Sequence, residues 1–354
     1  MAQGGIIQLI ATGPQDKLSN THQSKVVTCL VTYPYNLSLH KEDTKFQIPR
    51  SCDVMNNWSL LSDIGFDVID SVEIEANGLI LVRASGRCLC IMSMLLGMDP
   101  RKRKTLKVPF PVMNIVALPY VQLNVCTRFR QWEKPYLEEH KKIKPFVIKV
   151  LAHSGDLADI VVDYLGMDHD IGSVSLYSAT IMREENDRKK ISGNPTVDII
   201  DQYQEISSSI KPLEENIKVD LWVFNVLLKR LIIVFHRTNG SNCETLDVLN
   251  QGTLITYGVP HTEFTGDSAH HMDKEMFDMY VPEQPIYTIT FDNGKNITDP
   301  RRTSSFMNFR GSTNKVFLRL TVKPQEFPMT VTVIGESANL LMTANGMCGL
   351  KYSQ

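Results

Sequence analysis

Residues able to do chemistry are thinly spread along this chain. The densest group is His270-His271 with Asp273. Adjacent residues on a strand point to opposite faces, so two neighbouring imidazoles could share a metal ion only on a helix or loop. A solvated polar loop is the simpler expectation for this group. The other histidines (His22, His40, His140, His153, His169, His236 and His261) lack ligand spacing, and the H-x-H that a cupin-type barrel needs does not occur. Cys88 and Cys90 would share one face of a strand. That arrangement reads either as a thiol pair or, more simply, as an apolar strand face. The chain has no Walker A lysine, no G-x-G-x-x-G, no G-x-S-x-G and no H-E-x-x-H. The expectation is therefore a protein that is not an enzyme, with no catalytic, cofactor-binding or metal-binding residues.

Three weaker signals complete that search. Arg101-Lys102-Arg103-Lys104 could touch nucleic acid or an acidic surface, but a solvated loop tip explains it without an aromatic–basic stripe. Sequons at Asn36, Asn57, Asn239 and Asn296 read as chance matches. Trp58, Trp132 and Trp222 read as core or subunit-contact anchors.

The elements that must carry these residues are mostly strands. Val72–Glu75 alternates with period two, Asn77-Gly78 follows, and Leu79–Val82 resumes, which is a strong hairpin signal because both turn residues need positive φ. Further strand-like runs are Val26–Thr32, Tyr120–Phe129, Phe146–Leu151, Ser173–Met182, Asn216–Phe224, Leu231–Phe235, Ile286–Phe291, Val316–Val322 and Met329–Ile334. Asp292-Asn293-Gly294 marks another turn, and Pro324 and Pro328 interrupt pairing between the last two runs. Helical signals are confined to Glu184–Lys190 and Asp267–Tyr280. Many short strands with few helices predict sandwich or barrel domains and argue against a doubly wound sheet.

Composition narrows the classes further. At 354 residues, roughly 150 per domain gives about two domains. Lys plus Arg is 37 and Asp plus Glu is 39, a net charge of −2, so no global field points to nucleic acid. An apolar share of 43% is too high for a disordered chain. Seven scattered cysteines (Cys29, Cys52, Cys88, Cys90, Cys126, Cys243 and Cys348) with no C-x-x-C suggest a reducing compartment. The opening Met1-Ala2-Gln3-Gly4-Gly5 lacks a basic region, so no signal peptide is expected. No apolar stretch reaches the roughly 18 residues of a membrane helix, and a soluble protein is expected. The charged run Arg183–Lys190, ending in Ser192-Gly193-Asn194-Pro195, is the candidate boundary between two strand-rich segments.

Both ends of the chain carry a pattern. Gly4-Gly5-Ile6-Ile7-Gln8-Leu9-Ile10-Ala11-Thr12-Gly13-Pro14-Gln15-Asp16 resembles the opening of major capsid proteins of nucleocytoplasmic large DNA viruses. Asn339-Leu340-Leu341-Met342, with Gly346-Met347-Cys348-Gly349-Leu350-Lys351-Tyr352-Ser353, resembles their ending. Ile69–Gly78, Ala117–Val125, Leu176–Lys190, Ile199–Gln204 and Leu231–Phe235 resemble interior segments of that family in the same order. Two departures stand out. Ser19-Asn20-Thr21-His22 replaces a T-G-N-P, and Cys88–Leu96 replaces a W-x-x-x-W.

The resemblance implies an all-β chain of two consecutive eight-stranded antiparallel jelly rolls with short helices in loops. Residues 1–24 would be an N-terminal arm, 25–192 the first jelly roll and 193–354 the second. It implies a capsid subunit of a large icosahedral DNA virus, assembled in host cytoplasm into a pseudo-hexagonal homotrimer. Its partners would be neighbouring capsomers, minor capsid proteins and inner viral membrane proteins, with no direct nucleic acid and no cofactor. Gly4–Asp16 and Asn339–Tyr352 are the candidate interaction elements. The alternative is a minor capsid or paralogous protein that attaches to host glycan through loops such as Gln251–Tyr280.

Overall fold

The computed structural model describes residues 25–31, 37–38, 44–47, 54–61, 69–95, 97, 107–109, 123–129, 147–151, 157–161, 170–171, 175–182, 196–276, 280–291, 306–309, 316–344 and 347–352. Glu184–Lys190, Arg101–Lys104, Asp292–Gly294, the boundary at 183–195 and the opening motif at 4–16 lie outside the described residues.

The first half carries β1 Lys25–Val31, β2 Leu37–Ser38, β3 Thr44–Gln47, β4 Val54–Leu61, β5 Ile69–Ala76 and β6 Leu79–Ser85. It continues with β7 Lys107–Pro109, β8 Leu123–Phe129, β9 Val147–Leu151, β10 Leu157–Val161, β11 Asp170–Ile171 and β12 Ser175–Met182. The second half carries β13 Thr196–Ile210, β14 Asn216–Asp220, β15 Leu227–Arg237, β16 Leu249–Thr256 and β17 Val259–Thr265. After these come β18 Tyr287–Thr290, β19 Met307–Asn308, β20 Val316–Val322, β21 Met329–Ala344 and β22 Met347–Leu350.

One topology is used twice. The first half forms sheets β1-β12-β4-β7 and β3-β8-β5-β6, and the second forms β13-β21-β15-β18 and β14-β20-β16-β17. Ranking the eight main strands of each half in chain order, both halves read 1-8-3-6 in one sheet and 2-7-4-5 in the other. That order, with every pair antiparallel, is a jelly roll. Among the described residues no strand pairing crosses from 25–182 to 196–350. The small pairs β9–β10 and β2–β11 are additions to the first roll.

Equivalent hairpins sit between the fourth and fifth main strands of each roll. Asn77 and Gly78 have φ of 48° and 86°, and Ala76 pairs with Leu79 across a two-residue turn. Tyr257 and Gly258 have φ of 53° and 81° and close the β16–β17 hairpin, where Thr256 pairs with Val259. Only the first turn has the Asn-Gly signature. Tyrosine is uncommon at positive φ, so sequence reasoning passes over the second.

The second roll's core follows from period-two burial. In β20, VFLRLTV, Val316, Leu318, Leu320 and Val322 are buried while Arg319 is exposed. They meet Leu231, Ile233 and Phe235 of β15 and Val331 and Val333 of β21. β15 is buried on both faces over ten successive residues, so the outer side of its sheet is also covered.

Four sequence expectations change. The run Asn216–Phe224 stops being strand at Asp220, and Met329–Ile334 extends to Ala344. Cys88 and Cys90 lie not on a strand face but in a ten-residue helix, Gly86–Leu95, buried throughout. Ser85 Oγ accepts the Cys88 N–H at 3.0 Å, which caps the first turn. A short apolar run does not separate a buried strand from a buried helix by periodicity, and a helix apolar all round must be buried. The expected helix at 267–280 is a π turn, Ser268–Met272, followed by the α turn Asp273–Met276. Among the described residues, no helix is long and apolar enough to cross a membrane.

Candidate functional site

The most heavily built region is the seam between the two rolls. Gln202 of β13 is buried and donates from Nε2 to the Leu81 carbonyl of β6 at 2.7 Å. Ser85 gives its N–H and its hydroxyl to the two carboxylate oxygens of Glu205, at 3.2 and 2.8 Å. Burial pushes the Glu205 carboxyl up, and those two donors only partly offset the effect. Two residues on, Arg87 reaches into the loop after β15. It donates to the Ser241 carbonyl at 3.1 Å, Asn242 at 3.3 Å and Glu244 at 3.4 Å. Cys90, on the same helix, forms a disulfide with Cys243, 153 residues away. The reducing-compartment expectation did not include a bond. A pair so distant in sequence leaves no spacing signal.

Beneath the seam lie two ion pairs on the outer side of the β13-β21-β15 sheet. Arg230 Nε donates to Glu336 Oε2 at 2.9 Å, and Lys229 pairs with Asp201. Burial pushes the Glu336 carboxyl up, but Arg230 and Lys229 more than offset it and hold the group below the usual carboxylate range. Burial wins at Asp201, whose carboxyl is raised despite Lys229. Removing one partner of either pair would leave an uncompensated buried charge, which is strongly destabilising.

The histidine group lies on the second roll, in the connection between β17 and β18. The rings of His270 and His271 meet edge to face with centroids 4.3 Å apart. His270 Nδ1 lies 3.0 Å from the Ile286 carbonyl, and His271 Nε2 lies 3.9 Å from Asp267. Asp273 does not join them. Its carboxylate takes the Thr288 hydroxyl at 2.6 Å and the Thr290 N–H and hydroxyl at 3.0 and 2.8 Å, pinning the turn to β18. Among the described residues no group of three His, Cys, Asp or Glu could hold a metal ion. The solvated-loop expectation fits His271, which is exposed, better than the half-buried His270.

Sequence reasoning missed Lys274. This lysine is fully buried, and its Nζ donates to the carbonyls of Ala269 (3.2 Å), His270 (2.6 Å) and Ile286 (2.6 Å). Burial drives its pKa down to about 7, with Arg230 lowering it further and Asp273 opposing. Beside it opens a polar groove of about 540 Å³, lined among others by Asp247, Asn250, Asp267, His270, His271 and Glu283. Trp222 is 47% exposed, so of its two expected roles the core anchor is excluded.

No family model matches the sequence, and no curated protein does. Solved structures do. A chain of the PBCV-1 virus capsid superposes with a TM-score of 0.69 at 13% identity, over 96% of this chain and 99% of that one. PBCV-1 VP54, from a study fitting it into a reconstruction of the virophage Sputnik, gives a TM-score of 0.71 at 12% identity over the same shares. The STIV major capsid protein gives 0.51 at 10% identity, over 89% and 97%. The chain has the double jelly-roll fold.

Within that double jelly roll the C-terminal motif acquires a physical role. Asn339 Nδ2 donates to Gln202 Oε1 at 2.9 Å and to the Tyr352 carbonyl at 2.7 Å, while its Oδ1 accepts the Tyr352 N–H at 3.3 Å. Asn339 thus ties β21, β13 and the chain's last described residues into one polar knot. Gln202 belongs to that knot and to the seam at once. Cys348 extends it, its Sγ lying 3.9 Å from the Ala76 carbonyl of β5.

Proposed function

We propose that this protein is a structural subunit of a virus capsid, dividing into jelly rolls at 25–192 and 193–354. In this reading three chains form a pseudo-hexagonal capsomer that tiles an icosahedral shell of a large DNA virus. The observation that carries it is the repeated strand order locked across a buried seam. A trimer of such pairs presents six similar rolls, and cyclic symmetry buries one patch three times. The near-zero charge suits dense packing of many copies. Its role needs no catalytic group. Its partners are neighbouring capsomers, minor capsid proteins and inner viral membrane proteins, within virions assembled in host cytoplasm.

The test is mass in solution. Three chains of 40.1 kDa should scatter as a particle of about 120 kDa. A strict monomer at micromolar concentration sinks the trimer. Removing residues 1–16 should leave folding intact and impair particle assembly, and normal particles from the shortened chain would defeat that part.

A second reading, host-glycan attachment, is favoured by one observation. The groove beside His270 offers carboxylates, an amide and imidazoles within a single concavity. A glycan array without a hit would dispose of it.

A further inference from the structure

Most of the seam is noncovalent and complete without the disulfide. Arg87 and Cys90 are three apart on the helix, so they share a face. The Arg87 guanidinium already holds the carbonyls on both sides of Cys243. The loop that presents Cys243 is independently shaped. Gly240 N–H donates to Arg237 O at 2.9 Å, Glu244 N–H to Ser241 O at 3.1 Å, and Cys243 N–H to Ser241 Oγ at 3.1 Å. A Cβ on Gly240 would fall 1.6 Å from Glu244 Oε2, so a larger residue there would have to displace the Glu244 side chain.

We infer that Cys90 and Cys243 are a reversible thiol–disulfide latch, closed after the rolls dock by a small disulfide oxidant of the oxidised-glutathione class. In a reducing compartment Arg87 and its neighbours hold the rolls; outside it they are joined covalently. The geometry also sets the route. Cys90 is 0% exposed, whereas residue Cys243 is partly exposed, so the exchange is assigned to the Cys243 side of the bond. The Cys243 thiolate attacks the oxidant's S–S bond, forms a mixed disulfide and expels one small thiolate. Cys90, deprotonated, then attacks Cys243 Sγ and expels the second. Two protons leave the cysteines and two small thiols are produced, so the oxidant takes both electrons. Opening runs the same steps backwards, with a small thiolate attacking Cys243 and Cys90 as leaving group.

Cys88 does not intercept the exchange. Two positions from Cys90, it points about 200° around the helix. Burial, then the carboxylates of Glu205 and Glu336, keep its thiol protonated and unreactive.

The test uses the full-length chain in glutathione buffers of graded ratio, quenched by acid, alkylated after denaturation and read by peptide mass spectrometry. The expected result is a Cys90–Cys243 linkage that appears and disappears reversibly, with Cys88 alkylated throughout. Circular dichroism and elution volume should stay unchanged, while the melting temperature rises by several degrees in the oxidised form. Loss of the compact fold on reduction would overturn the latch, as would a linkage through Cys88 or none at any ratio. As a second arm, the Cys243→Ser variant should fold and melt at the reduced protein's temperature regardless of reductant. A variant whose melting still responds to reductant would also overturn the inference.

Discussion

The connection between the fifth and sixth main strands is helical in both rolls, and the two helices live in opposite worlds. In the first roll it is GRCLCIMSML, buried at every position, with Arg87 and Cys90 gripping the other roll. In the second it is SAHHM followed by DKEM, with His271, Met272 and Glu275 exposed and Ala269 and Lys274 fully inside. Identical topology therefore leaves this connection free to be spent either on joining rolls or on shaping an outer groove. Composition decides which. A helix that is apolar around its circumference apart from Arg87 and Ser93 has nowhere to go but an interface. A polar turn stays at the surface and needs its own anchors, here Asp273 on two threonines and Lys274 on three carbonyls.

The hardest blow to that contrast is a charge in the first helix. Ile91→Asp places a carboxylate where the side chain is 0% exposed, with an apolar helix around it. The expected loss is about 4 kcal/mol or more, read by urea unfolding. A loss below about 1 kcal/mol would mean that the helix does not bear on the seam. Arg87→Ala comes next. It strips the donors from three carbonyls in the seam and should lose about 2–3 kcal/mol. The measurement belongs under reducing conditions, where the disulfide cannot hide the damage. An unchanged midpoint there would show that Arg87 is not what docks the rolls.

The second connection is probed through pH. Lys274 has a folded pKa of about 7, against about 10.4 for an exposed lysine. Between those values the unfolded chain binds the extra proton, so stability rises with pH, by up to about 1.4 kcal/mol per unit. Below pH 7 both states are protonated and this slope vanishes. Stability measured from pH 7 to 9 should climb in the natural chain, and the climb should shrink in Lys274→Met. Parallel profiles for the two proteins would show that Lys274 stays charged on its carbonyls through that range.

How much of this was readable beforehand follows from the range of each signal. Val316–Val322 alternates cleanly and folds as the strand it spells, because one face is core and the other solvent. Asn77-Gly78 announces its hairpin, while Tyr257-Gly258 makes the same turn without the expected residue. The Asn339 and Tyr352 motif could be matched as a pattern, but its meaning, a polar knot with Gln202, depends on strands 137 residues apart. The same holds for Cys90 with Cys243 and for Arg230 with Glu336. Lys274 looks like any surface lysine in sequence, because nothing local reveals that three carbonyls converge on it.

The smallest expected effect completes the comparison, because it repeats the largest perturbation in the other roll. Met272→Asp puts the same carboxylate into the second connection, on a side chain 57% exposed. Water solvates the charge there, and more than half of the Met272 surface already faces solvent, so the change in stability should stay within about 0.5 kcal/mol. The neighbouring His271, itself half-exposed, gains a nearby negative charge but little energy, since exposed pairs are worth about 0–1 kcal/mol. If Met272→Asp instead cost as much as Ile91→Asp, the second connection would also have to be covered. The natural candidate would then be another copy of the chain seated on that face. Sedimentation of the variant beside the natural protein would separate the two explanations. An assembly that dissociates points to a covering copy, and an unchanged one to a turn packed more tightly than its exposure indicates.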